Sequence, residues 1–175
     1  ISEVMFFFAF FWAYFNSSVP AISQAAHEVW PPEGIETVYT WGLPFVNTVI
    51  LLTSGATLTM AHHGLRENDN RKLKLWLLFT VILGFVFLGL QMYEYGEIAF
   101  AFTDGIYPST FFLATGFHGF HVFVGAVFLT VCLYRATKGH FTPKQHVGFE
   151  AAAWYWHFVD VVWIFLFIWI YWWGS

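Results

Sequence analysis

The sequence is poor in charge and in sulfur. Only 10% of its 175 residues are Asp, Glu, Lys or Arg, against about 25% in an ordinary soluble domain. Seven are Lys or Arg and the formal net charge is −4, which excludes a basic nucleic-acid-binding surface and a chain too charged to collapse. One cysteine, Cys132, excludes a disulfide framework and a CxxC metal site. No internal repeat is present. Apolar residues dominate instead: 58% of the chain is hydrophobic and 23% is Phe, Trp or Tyr. A soluble core built from so short a chain cannot bury that much ring surface. The expected class is an all-α integral membrane protein.

Five stretches are long and apolar enough, or nearly so, to cross a bilayer: about 1–18, 41–60, 73–93, 109–134 and 149–173. None shows the alternation of a membrane barrel strand. The expected architecture is a five-transmembrane-helix bundle forming a single transmembrane domain over residues 1–175. The cations set its orientation. Arg66, Arg71, Lys72 and Lys74 lie around the link between spans two and three, and Arg135, Lys138 and Lys144 around the link between four and five. The other two links carry Glu28, Glu33, Glu36, Glu94, Glu97 and Asp104 and no cation. The positive-inside rule puts the basic links on the cytoplasmic or matrix side and the C-terminus, Ser175, on the periplasmic or intermembrane-space side. Pro20, Pro31, Pro32 and Gly34 predict a turn-rich outer segment, and Gly139 with Pro143 predicts a break in the second inner link. Trp41, Trp76, Trp172 and Trp173 at span ends read as interfacial anchors. The chain starts at Ile1 without the pattern of a signal peptide and is expected to begin inside a helix, with N-terminal sequence missing.

Ionisable residues inside apolar spans cost roughly 2.5–3.5 kcal/mol each at the bilayer centre, so each needs a partner or a purpose. Glu3 precedes Phe6, Phe7, Phe8 and Trp12; it reads either as a proton-handling carboxylate raised in pKa by desolvation or as a solvated carboxyl near the inner interface. His118 and His121 are three apart, on one helix face. They read either as a haem or metal pair or as packing residues, with Gly116 and Gly119 admitting a neighbouring helix; without a carboxylate or Cys at ligand spacing, packing is preferred. His157 and Asp160 are also three apart and can satisfy each other, as a structural clasp or as a proton relay. His62 and His63 close the second span beside Arg66; adjacent helical residues point about 100° apart, which disfavours a metal pair. The cluster Arg135, Lys138, His140 and Lys144 suits anionic lipid headgroups, at about 1 kcal/mol per cation.

Several stretches carry a family resemblance: Ile1-Ser-Glu-Val4, Trp30-Pro-Pro-Glu-Gly-Ile35, Ala61-His-His63, Ala114-Thr-Gly-Phe-His-Gly-Phe-His121, Gly148-Phe-Glu-Ala-Ala-Ala-Trp-Tyr-Trp-His-Phe-Val-Asp-Val-Val-Trp163 and Tyr171-Trp-Trp-Gly-Ser175. Along its whole length the chain closely resembles subunit III of haem–copper cytochrome c oxidase of the mitochondrial and alphaproteobacterial type. The resemblance implies an accessory subunit with no catalytic residue, no metal and no cofactor of its own, haem and copper residing in partner subunits. It implies packing on subunit I, phospholipids held in a cleft, and support of proton uptake and sustained turnover. Glu3 matches the family's buried glutamate and Trp12 a tryptophan further along the same helix. Arg135 matches the arginine that meets a lipid headgroup, with Lys138 and His140 as further contacts. His118 and His121 become structural. The usual member has seven spans, so the first two are expected to be cut off or carried on a separate chain. Two rivals remain from the residues themselves: a membrane electron carrier with haem on His118, His121 or His157, and a proton or ion transporter using Glu3 and Asp160. One helix face cannot offer both axial ligands, and neither broken helices nor internal symmetry accompany the carboxylates.

Overall fold

The computed structural model describes residues 2–19, 30–31, 38–98 and 100–174. Most of the predicted outer turn segment, including Glu28, Glu33, Glu36, Pro20, Pro32 and Gly34, lies outside the described residues, as does Ser175. The described chain forms five long helices: α1 (Ser2–Ser18), α2 (Leu43–Arg66), α3 (Asn70–Glu97), α4 (Ile106–Thr137) and α5 (Val147–Leu166), the last continuing as a π-helix over Phe167–Trp172. Four of these, α2, α3, α4 and α5 with its continuation, are long and apolar enough to cross a membrane. α1 has 17 residues and is shorter.

Each of α2, α3 and α4 outruns its apolar stretch by a turn or more. The hydropathy window marks the hydrocarbon, whereas the hydrogen-bond ladder continues into the polar flanks until something stops it. Asp69 starts α3 by accepting from the backbone N–H of Arg71 and Lys72, each at 3.1 Å. Pro44 and Pro108 sit in the first turns of α2 and α4, where an N–H is dispensable. Gly139 at φ +71° ends α4, a conformation that favours glycine.

The longer α3 corrects one expectation. Glu94, placed in the outer link by its charge, lies within α3 and is buried. The Tyr171 hydroxyl donates to it at 2.8 Å, and Gln91 donates to that hydroxyl at 3.4 Å.

The bundle is apolar outside and partly polar inside. Phe8, Phe79, Phe85, Phe123 and Phe128 are exposed, while Asn47, Ser54, Thr80, Thr115 and His118 are buried. Lipid offers no hydrophobic gain on helix association, so close packing and interhelical hydrogen bonds hold such bundles. Trp156 on α5 contributes to both. A Cβ on Gly84 of α3 would come within 2.6 Å of its ring, and one on Gly125 of α4 within 2.9 Å. Its indole N–H donates to Ser54 of α2 at 2.9 Å. Trp163 repeats the pattern one level away, donating to Thr48 at 2.9 Å. The glycines that admit Trp156 are therefore Gly84 and Gly125. At Gly119 a Cβ would meet nothing, and at Gly116 only the Tyr95 hydroxyl, at 3.8 Å. That pair lines an open groove between α3 and α4 of about 340 Å³.

Candidate functional site

The polar residues singled out from the sequence fall into separate places. α1 packs on α4 and α4 on α5. His121 is buried there, enclosed by Phe7, Phe117 and Tyr155, with the Tyr155 ring stacked at 6.2 Å. Its Nε2 lies 2.8 Å from a Glu3 carboxylate oxygen, and its Nδ1 lies 2.8 Å from the Phe117 carbonyl. Sequence reading did not pair these two, because 118 positions separate them. Both imidazole nitrogens face acceptors. A neutral ring carries only one N–H. The Glu3 side chain is 48% exposed.

His118 is fully enclosed. Its Nε2 lies 3.1 Å from the Val159 carbonyl of α5, and its ring packs between Phe87 and Trp163, at 5.8 and 5.0 Å. The surrounding rings leave no room for a macrocycle, and His121 has both nitrogens engaged. This geometry favours packing over haem ligation.

His157 Nδ1 lies 3.5 Å from Asp160 Oδ2. The carboxylate points at α2, where a Cβ on Gly55 would overlap it. Its other oxygen has no hydrogen-bond partner, so the histidine satisfies half of the carboxylate rather than all of it.

At the end of the bundle that carries the basic links, Arg135, His140 and Lys144 line a cavity of about 320 Å³ with Phe141, His146 and Gly148. The Arg135 guanidinium lies over the Phe141 ring at 4.8 Å. Lys138 does not join them; its ammonium sits near the Tyr134 ring at 5.7 Å. Trp12, exposed on α1, belongs to a different surface. The neighbouring apolar pocket, about 410 Å³, lies between α1 and α5 and is lined by Val4, Phe7, Phe8, Phe158 and Phe165 among others.

Residues 1–175 match the family described as "Cytochrome c oxidase subunit III". Curated relatives described as "Cytochrome c oxidase subunit 3" are 58% identical over 176 residues in Marchantia polymorpha, 57% in Arabidopsis thaliana and 57% in Drosophila melanogaster. In each comparison the whole chain is covered, together with 66% of the relative. The chain thus spans just under two thirds of the length of the relatives it matches.

Proposed function

The chain belongs to the cytochrome c oxidase subunit III family, and on that premise we propose that it serves as the accessory subunit of a proton-pumping respiratory oxidase that passes electrons from cytochrome c to oxygen. In this reading α1 is a fifth membrane span, and the chain packs on subunit I within the oxidase complex. The basic links face the cytoplasm or matrix. The chain supplies no redox chemistry; haem and copper belong to the partner subunits.

Two contributions are assigned to it. The first is lipid retention: Arg135, His140 and Lys144 around one cavity present three basic groups to an anionic headgroup, and the apolar pocket beside Phe8 and Phe165 suits acyl chain. Trp12 and Lys138 contribute at the margins. The second is support of proton uptake through the Glu3–His121 pair, which shares a proton between two groups at 2.8 Å and leaves the carboxyl partly open. The His157/Asp160 and His118 contacts serve structure.

The observation that supports the oxidase assignment is the family match over residues 1–175. The test is a reduced-minus-oxidised visible spectrum of the tagged chain, purified in mild detergent with its bound partners and again after their removal. Haem absorbance that leaves with the partners is the expected result. Haem that stays stoichiometric with this chain overturns the assignment and returns His118, His121 and His157 to ligation.

A further inference from the structure

A third group of titratable residues is used by none of this. His62 near the end of α2 meets His146 and Glu150 at the start of α5. One donor atom from each lies within 4.8 Å of the other two. The Glu150 carboxylate oxygen is 3.2 Å from His146 Nε2 and 3.8 Å from His62 Nε2. The two imidazole rings are 5.8 Å apart and inclined at 61°. All three side chains are half-buried.

The hydrogen bonding at this cluster does not close. His146 Nδ1 lies 3.0 Å from the Thr142 carbonyl, which can only accept, so Nδ1 carries the proton. A neutral His146 then turns a bare lone pair at Nε2 toward Glu150, itself an acceptor. His62 Nε2 is enclosed beside the same carboxylate and has no hydrogen-bond partner. Three atoms that can each offer a lone pair thus converge on one point. A cation at that point satisfies all three together. The Nδ1–H to carbonyl bond at His146 is the outer-sphere arrangement that fixes a ligating tautomer.

We propose that His62, His146 and Glu150 bind a divalent transition-metal ion of the zinc class. Two imidazoles and one carboxylate are a borderline-soft donor set, and the fourth position is left to water. Tetrahedral zinc with bonds near 2.0–2.2 Å sets its donors about 3.4 Å apart. The two carboxylate–imidazole separations, 3.2 and 3.8 Å, bracket that value. The ion clips the end of α2 to the link between α4 and α5, beside the Arg135 cavity, where His146 is a shared wall. This departs from the sequence expectation of a chain without metal. The donors beside His62 are His146, which caps the start of α5, and Glu150 within it.

The test uses the assembled complex in detergent, stripped with a chelator and reloaded at micromolar zinc. The wild type is expected to hold one more zinc per complex than His62→Ala or His146→Ala, and Glu150→Gln to bind at least tenfold more weakly. Zinc-edge X-ray absorption on the difference site should show only nitrogen and oxygen neighbours, with the multiple-scattering pattern of two imidazoles. Cobalt loading of the wild type alone should give tetrahedral visible bands, a readout that survives if a variant fails to assemble. Equal zinc content in wild type and assembled variants overturns the proposal. Wild type that takes up zinc or cobalt only at millimolar concentration overturns it as well, leaving His146 as an imidazolium paired with Glu150.

Discussion

Two imidazole–carboxylate contacts in this chain start alike and finish differently. His121 with Glu3 and His146 with Glu150 each have an Nδ1 on a backbone carbonyl and an Nε2 on a carboxylate. His121 is ringed by aromatics, and among the described residues no other imidazole faces its carboxylate partner. His146 has His62 on the far side of the same carboxylate, so three donors can share the proposed metal ion. The difference is one side chain delivered by a third element, α2. It turns a pairwise contact into the proposed ligand set.

Both contacts meet α5, the second through Glu150 itself and the first through the Tyr155 ring stacked on His121. Trp156→Ala removes the ring wedged against Gly84 and Gly125 and should cost about 3–5 kcal/mol. Thermal melts of the detergent-purified complex should fall most for this variant, and both contacts should loosen together. A melt that falls little would mean that the two contacts hold the helices without the tryptophan. The next largest effect distinguishes the sites from each other. His62→Ala and Glu150→Gln should be non-additive, with a coupling of about 1–2 kcal/mol in zinc that collapses in chelator. A double-mutant cycle on His121 and Glu3 should be indifferent to chelator. Coupling at His62 that also ignores chelator would make the two sites the same kind of contact after all.

At Glu3 the comparison can be sharpened chemically. Glu3→Ala leaves His121 Nε2 without its partner and should cost about 1 kcal/mol, modest because the carboxyl is half exposed. Glu3→Gln should melt like the wild type, since the amide can donate to Nε2 while Nδ1 keeps its proton for Phe117. It nonetheless removes the shared proton, so proton-uptake kinetics should change in both variants. Normal uptake across pH in Glu3→Gln would reject the proton role while leaving the contact intact.

The apolar runs and the basic links were legible because crossing hydrocarbon demands length and low charge, a local property of sequence. Helix ends were less so, since α3 carries its hydrogen bonds through Glu94 and buries it against Tyr171. The His118/His121 spacing correctly announced one face of one helix, but the partners, Val159 and Glu3, lie 41 and 118 positions away. Gly116 and Gly119 show where a helix could approach, not where one does. Trp156 chose Gly125 and Gly84, and only the packed bundle displays that choice. The metal-like cluster was half visible: His146 and Glu150 stand at i,i+4 on one helix face. The decisive third donor, His62, comes from α2, three helices earlier.

The smallest expected effect on stability concerns the cavity beside that cluster. Arg135 and Lys138 are near neighbours of like charge, and a purely electrostatic surface would use them interchangeably. They are placed differently, with the Arg135 guanidinium on Phe141 at the cavity and the Lys138 ammonium toward Tyr134, off its wall. Both are exposed, so neither alanine variant should shift the melt by more than a few tenths of a kcal/mol. Their effect on bound lipid should diverge. Arg135→Ala should lower the copurified anionic phospholipid by about one molecule per complex, whereas Lys138→Ala should leave the count near wild type and only steepen its loss with salt. Equal losses from both variants would mean that diffuse charge at the basic end retains the lipid and that the cavity is not the seat of its headgroup.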